Sequence, residues 1–374
     1  MAAPTLADLA KLFLRLGFTA FGGPAAHIAM KHREVVENKG WITEQHFLDL
    51  VGATNLIPGP NSTEMAIHIG REKAGWKGLV VAGACFILPA VTITGIIAWL
   101  YRAYGYLPDV QRFIYGVEPA IIAVILAAVY PLARRSVTSV WLLLIGLATL
   151  VLALFGFSEI FLMFGAGIAG LLIDTARRGN PSSKQMVLVA LPAQLATYAA
   201  DIGNWKLFLI FLKIGSVLYG SGYVLFAFLD AELVQPDIIT RAQLIDAIAV
   251  GQFTPGPVFS SVTFIGYQIG GIQGAVISTV GIFLPAFLFV ALLNPLVKKM
   301  RSSEHFKAFL DAVNVASVAI IASVCYTMAV HSIVDWRTVT IAMASLVLSF
   351  GFRHINSAWI VIASALAGYL LSLV

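Results

Sequence analysis

Two ten-residue stretches with Pro-Gly-Pro at their centre decide how this chain folds: NLIPGPNSTE at residues 55–64 and QFTPGPVFSS at residues 252–261. Proline lacks a backbone N–H and fixes φ, so two prolines around a glycine end one helix and suit the first turn of the next. Each stretch therefore predicts a break between two short helices. The surrounding sequence is so apolar that we expect both breaks to lie inside a membrane.

The composition excludes an ordinary water-soluble protein. The chain has 374 residues, of which 59% are hydrophobic and 11% charged, and its mean hydropathy is +0.88. Apolar runs close to the about 20 residues that span a bilayer recur along it, for example at 79–100, 207–229 and 275–296. We predict an all-α polytopic membrane protein whose first helix is retained, because the N-terminus lacks the pattern of a secretory signal.

The net charge of +5 does not indicate nucleic-acid binding, because Lys and Arg occur in short clusters between apolar runs. Clusters such as Lys31, Arg33 and Lys39 are typical of cytoplasmic loops. Cys85 and Cys325 lie in apolar helices, where a thiol behaves as a small hydrophobe. There is no His-rich metal pattern, nucleophile elbow or P-loop. We expect no enzyme activity, no catalytic residue, no metal and no cofactor, and energy drawn from ion gradients.

The two breaks belong to an internal repeat. The segment 13–17 recurs at 211–215, Asp49 recurs as Asp246, and Leu88-Pro89 recurs as Leu284-Pro285, with an offset that drifts only from 198 to 196. The repeat predicts two domains, residues 1–185 and residues 186–374.

Each half contains about five spanning helices, the first at about 6–30, plus a re-entrant helical hairpin broken at Pro-Gly-Pro. Because five is odd, the second half enters the membrane from the opposite side. The sequence therefore predicts two inverted-topology repeats, an architecture of secondary transporters that bind substrate at broken helices near the midplane.

The residues around the breaks suit a small anion. A helix start offers unpaired N–H groups and a positive dipole end, and neutral side chains can bind an oxyanion without trapping it. For each side chain, simple capping of a short helix is an equal alternative. The candidate substrate-binding residues at the breaks are Asn55, Gly59, Asn61, Ser62, Thr63, Gln252, Thr254, Gly256, Ser260 and Ser261.

Further candidates lie in the first helix of each half. Gly22 and Gly23 predict either a backbone nest or close helix packing. Arg15 and Lys213 occupy equivalent positions deep in their helices, where a basic residue costs about 2.5–3.5 kcal/mol. We expect both to face the substrate cavity, with snorkelling as the alternative.

Three ionisable residues are candidates for proton coupling: Glu64, His27 and His68. A buried carboxylate or histidine can take up a proton in exchange for an anion. The second half has Ser261 opposite Glu64, so coupling would belong to one half only. The alternative is that Glu64 forms a structural ion pair with Arg15 or Arg71.

Several of these motifs together resemble the chromate transporter family in its long, two-domain form. They are Phe21-Gly22-Gly23-Pro24 with His27, Trp41-Ile42-Thr43, Asn55 to Pro60, Leu88-Pro89, and Thr254-Pro255-Gly256-Pro257. The resemblance implies a multi-pass transporter of the prokaryotic inner membrane. It implies chromate efflux that confers chromate resistance, with sulfate as the similar dianion, driven by the proton gradient.

The sequence departs from the common family pattern at 61–64, which leaves the substrate open among oxyanions. The expected partners are a small oxyanion (chromate or sulfate), protons and the lipid bilayer, and a homodimer is left open. The competing function is a passive anion channel that uses the same helix ends.

Overall fold

The structure is a computed structural model that describes residues 4–21, 23–178, 203–219, 222–292, 303–352 and 355–373. Within these ranges the chain forms helices and short connections and no β-strand. Gly22 and the predicted domain boundary at residue 185 lie outside the described residues, so the boundary stays a prediction.

The first half forms seven described helices. They are α1 (Leu6–Thr19), α2 (Gly23–His32, followed by a π-helical turn at Arg33–Asn38), α3 (Glu44–Thr54), α4 (Asn61–Tyr104), α5 (Pro108–Ser136), α6 (Val140–Leu154) and α7 (Glu159–Arg178).

The described helices of the second half follow in the same order. They are α8 (Asn204–Val217), α9 (Val224–Leu229, followed by a π-helical turn at Asp230–Val234), α10 (Arg241–Phe253), α11 (Ser261–Leu292, preceded by a 3₁₀ turn at Val258–Ser260), α12 (Glu304–Ser332), α13 (Trp336–Gly351) and α14 (Ser357–Leu371).

Five described helices are long and apolar enough to cross a membrane, namely α4, α5, α7, α11 with its 3₁₀ turn, and α12. Shorter apolar helices are α6, α13 and α14. Many large apolar side chains, such as Trp99, Leu147 and Phe155, lie on the outside, where only lipid removes them from water. These features confirm an all-α polytopic membrane protein.

The prediction of one continuous first helix in each half was wrong. Helix α1 ends at Thr19 and α2 begins at Gly23. In the second half α8 ends at Val217 and α9 begins at Val224. Pro24 cannot donate a helical hydrogen bond and suits the first turn of a new helix, which explains the first interruption.

Helices α4 and α11 each fold back on themselves at a glycine. Gly75 (φ +58°) and Gly271 (φ +61°) adopt left-handed backbone at these turns. The two arms meet so closely that a Cβ on Gly70 would lie 2.2 Å from the Gly78 carbonyl oxygen. At the equivalent Gly266 it would lie 2.4 Å from the Gly274 carbonyl oxygen.

The second arms of α4 and α11, residues 76–104 and 272–292, pack against each other in opposite directions. Near the start of the first arm, a Cβ on Gly83 would touch the Phe287 ring, which lies near the end of the other arm. At the far end, Arg102 Nη1 lies 3.8 Å from where a Cβ on Gly271 would stand. Antiparallel packing of equivalent helices supports inverted repeats, whose orientation in a bilayer stays our prediction.

The remaining helices interlock the two halves. Helix α5 packs on α13 and α14 of the second half, and its counterpart α12 packs on α6 and α7 of the first. Small residues make these crossings close: Gly116 lies against Gly368, and Gly170 lies against Ala312.

Arg15 and Lys213 form equivalent ion pairs. Arg15 Nη2 lies 2.5 Å from Glu34 Oε2, and Lys213 Nζ lies 2.6 Å from Glu232 Oε1. Both pairs join the first helix of a half to the π-helical turn that follows its second helix. These carboxylate partners disfavour the substrate role of Arg15 and Lys213, which stays a prediction.

Replacement of Gly70 by alanine is expected to destabilise the protein by about 1–3 kcal/mol, because the new methyl group must displace the Gly78 backbone. Gly165→Ala in α7 is the matched control, since its Cβ would enter open space. The measurement is the thermal unfolding of each variant purified in detergent. Equal unfolding temperatures for both variants would contradict the tight hairpin.

The Lys213–Glu232 pair is expected to act as a unit. Glu232→Gln or Lys213→Met alone should lower the free energy of unfolding by about 2 kcal/mol, because each leaves a partly buried charge unpaired. Breaking a fully buried pair costs more, roughly 3–5 kcal/mol. The double variant should cost less than the sum of the two. The exposed pair Arg112–Asp109 serves as the control, since Asp109→Asn should change little. Strictly additive single effects would show that the pair contributes no coupling.

Candidate functional site

Each Pro-Gly-Pro break is completed by the opposite half of the chain. The Gly59 N–H donates to the Leu218 carbonyl oxygen at 2.8 Å, and the Gly256 N–H donates to the Ala20 carbonyl oxygen at 2.8 Å. Ala20 and Leu218 follow directly after the equivalent helices α1 and α8. The two interrupted first helices and the two breaks therefore form one interface with approximate twofold symmetry.

Only glycine fits at the centre of either break. Gly59 has φ +132° and Gly256 has φ +93°, a region that L side chains rarely adopt. A Cβ on Gly59 would also lie 2.4 Å from Glu64 Oε1, and one on Gly256 would lie 2.9 Å from Ala90 Cβ. The backbone and its packing both require these glycines.

Both breaks are followed by helix starts. The Thr63 and Glu64 N–H groups bond the Pro60 carbonyl oxygen at 2.7 and 3.0 Å, and the Ser260 N–H bonds the Pro257 carbonyl oxygen at 2.9 Å. The earliest N–H groups of a helix have no partner within it. These starts are the positive ends of helix dipoles, as the sequence predicted.

Several of the predicted polar residues are buried with unused hydrogen-bonding atoms. Three of their atoms have no partner in the described part of the chain: Thr63 Oγ1, Ser261 Oγ and Gln252 Nε2. The Gln252 side chain nevertheless forms a hydrogen bond with Tyr223. Ser62 is buried too. Since buried polar groups are normally bonded, these atoms are available to a ligand.

Other predicted residues already have hydrogen-bond partners within the protein. Asn61 Nδ2 donates to Asn55 Oδ1 at 2.6 Å, and Thr254 Oγ1 donates to the Val250 carbonyl oxygen at 2.6 Å. Ser260 Oγ accepts from Thr94 Oγ1 at 3.4 Å. The bonds give these side chains partners within the protein, but none is the side-chain bond to a backbone N–H that caps a helix start. Their ligand role stays a prediction. Gly23 begins α2, and Gly22 lies outside the described residues.

Glu64 lies over the first break with no partner for either carboxylate oxygen among the described residues. It is 0% exposed. It pairs with neither Arg15, which binds Glu34, nor Arg71, whose Nη1 donates to the Val290 carbonyl oxygen. The described residues therefore do not provide the predicted structural ion pair.

Tyr219, beside the Leu218 carbonyl group, interacts electrostatically with Glu64. His68 lies one helical turn after Glu64, and it is buried with Nε2 unbonded. An acidic group and a histidine thus lie on the half-helix that starts at the first break.

Lys31 is a candidate site residue that the sequence pattern did not indicate. It was predicted to lie in a cytoplasmic loop, but it is 0% exposed, and its ammonium has no hydrogen-bond or ion-pair partner in the described chain. Its Nζ lies 3.7 Å from the centre of the Phe86 ring. A cation–π contact contributes up to about 2 kcal/mol, whereas burial costs several kcal/mol for an ion.

His27 lies against the same Phe86 ring, edge-on with the ring centres 5.9 Å apart. Both of its ring nitrogens are buried, and neither has a hydrogen-bond partner of standard geometry among the described residues. The ring lies near the Ala20 carbonyl oxygen, which also accepts the Gly256 N–H. His27 and Lys31 thus approach the second break from the first half.

A signal for this pair was present in the repeat. Positions 27, 31 and 35 are spaced four residues apart, so they lie on one face of a helix. With the offset of 198 that relates Glu34 to Glu232, they correspond to Leu225, Leu229 and Leu233, all fully buried. A polar residue at a position where the other half has leucine marks a departure from simple packing.

Comparison with known proteins agrees with the repeat. The family model described as chromate transporter matches the chain twice, at residues 7–171 and 205–369. No solved structure matches the chain.

Curated relatives extend over almost the whole chain. A chromate transport protein of Cupriavidus metallidurans is 32% identical over 97% of this chain and 92% of its own length. A chromate transport protein of Pseudomonas aeruginosa is 29% identical over 96% and 90%. A probable chromate transport protein of Synechococcus elongatus is 29% identical over 98% and 95%.

The two matches of the family model and the full-length relatives show that this chain belongs to the chromate transporter family.

Proposed function

We propose that the protein is a secondary active transporter of a tetrahedral oxyanion, with chromate as the first substrate and sulfate as its analogue. The observation that carries the proposal is the pair of breaks whose buried helix starts hold unused polar atoms, Thr63 Oγ1 and Ser261 Oγ. Helix starts and neutral donors can replace the water around a tetrahedral dianion. The names of the curated relatives support chromate.

Glu64 is the proposed site of proton coupling. Its carboxylate is the acidic group buried at the first break, where an ionised form would repel an anion held at the same interface. Protonation removes that repulsion. The geometry therefore favours proton and anion binding together, rather than the exchange that the sequence suggested.

Joint binding affects the energetics of export. Moving one charge across a potential of 100 mV is worth about 2.3 kcal/mol, so an interior-negative membrane favours exit of a dianion by about 4.6 kcal/mol. A proton that leaves with the anion halves the charge moved, and this reduces the gain to about 2.3 kcal/mol. We propose chromate efflux across the inner membrane driven mainly by the membrane potential.

The first experiment measures radiolabelled chromate and sulfate flux in proteoliposomes, with the pH gradient and the potassium–valinomycin potential set independently. We expect saturable flux that increases with the potential and with acidity on the side from which the anion departs. Unsaturable current that ignores pH would indicate an anion channel instead. Absence of flux with every oxyanion would contradict the proposed function.

The Glu64→Gln variant tests the coupling residue. A neutral amide imitates the protonated acid, so flux should persist, and its dependence on pH should disappear. Glu37→Gln is the matched control, because Glu37 is an exposed carboxylate that contacts His32. A Glu64→Gln variant with the pH dependence of the unmodified protein would show that protons bind elsewhere.

A further inference from the structure

The second half does not repeat the basic pair His27 and Lys31. Their positions correspond to Leu225 and Leu229, and the register is fixed on both sides by Phe21 with Tyr219 and by Glu34 with Glu232. The first half, in turn, has Glu64 where the second has Ser261. The two breaks therefore share the Pro-Gly-Pro motif but differ in the ionisable residues around them.

Contacts through Phe86 and α1 place the basic pair beside the second break. His27 and Lys31 touch the Phe86 ring from its edge and its face. The Phe86 carbonyl oxygen lies 2.8 Å from where a Cβ on Gly17 would stand, and the Gly17 carbonyl oxygen lies 3.2 Å from the corresponding point on Gly256. A continuous chain of contacts thus connects the Lys31 ammonium with the second break.

Among the described residues, no carboxylate forms a hydrogen bond or an ion pair with Lys31. The packed residues belong to an apolar cluster that includes Leu16, Val35, Phe47 and Phe86. The neighbouring His32 is directed elsewhere, toward Glu37 and Glu44. Because the contact with Phe86 offsets only part of the cost of burial, a charged Lys31 needs a counter-ion.

We propose that Lys31 and His27 bind the transported oxyanion beside the second break, with the Lys31 ammonium as counter-charge and a His27 ring N–H as hydrogen-bond donor. The proposal rests on the proposed transport function and specifies its substrate-binding residues. Both side chains are enclosed in this conformation, so the anion reaches them when the two halves move. A tetrahedral dianion is favoured over chloride because it offers several oxygens to separate donors.

The test compares binding in the full-length protein purified in detergent. Sulfate, chromate and chloride are titrated while thermal unfolding is followed, since a ligand of the folded state raises the unfolding temperature with its concentration. Lys31→Met should weaken the apparent affinity for sulfate and chromate by about 30-fold or more. Lys31→Arg, which keeps the charge, should lose less. His27→Leu, which copies Leu225, should weaken binding by about tenfold.

Two comparisons separate binding from folding. Without anion, Lys31→Met should unfold at the same temperature as the unmodified protein or higher, because methionine suits the apolar cluster. Lys11→Met, at an exposed lysine of α1, should bind oxyanions normally. Normal sulfate and chromate affinity in Lys31→Met would overturn this inference and leave the transport function standing. Absence of binding and flux in the unmodified protein would overturn both.

Discussion

The structure depends on one constraint: a Pro-Gly-Pro break frees backbone groups that a bilayer cannot hydrate. An unsatisfied N–H or carbonyl group in hydrocarbon costs several kcal/mol. The chain satisfies these groups across its two halves, since Gly59 bonds Leu218 and Gly256 bonds Ala20. A break in one half is therefore stable only while the other half is in place. The interlocked packing of α5 and α12 with helices of the opposite half keeps it there.

The same interface concentrates the unusual side chains of the protein. Most of its apolar residues pack as in any helical bundle. Glu64, His27 and Lys31 are buried there, and within the described part of the chain they lack the partners that such groups normally require. Their distribution is unequal, with an acid at the first break and two basic groups near the second. A symmetric framework thus holds an asymmetric set of ionisable groups. In our proposal the proton binds at the first break and the anion binds beside the second.

Much of this architecture could be predicted from the sequence because it depends on residues with special backbones. Prolines and glycines at 58–60 and 255–257 determine the breaks, and their repetition revealed the two halves. Partners distant in sequence could not be predicted. Arg15 and Lys213 were expected to face a cavity, since nothing in the pattern of α1 or α8 indicated that Glu34 and Glu232 would approach them.

Lys31 illustrates a different limit. Its neighbours Arg33 and Lys39 made the segment look like a charged loop, but α2 turns residue 31 inward while its neighbours face elsewhere. Whether a residue is buried depends on which face of the helix it occupies. The number of charges in the surrounding segment does not reveal this. The internal repeat carries a more informative signal, because the equivalent residue in the second half, Leu229, indicates a buried position.

The two hydrogen bonds that complete the breaks, from Gly59 to Leu218 and from Gly256 to Ala20, use only main-chain atoms, apart from the requirement for glycine at positions 59 and 256. A joint of this kind does not depend on the chemistry of the side chains around it. After an ancestral duplication, each copy could therefore acquire its own charged residues without losing these two bonds. Because Glu64, His27 and Lys31 occur in the first half only, a chain made of two copies of the second half would lack all three.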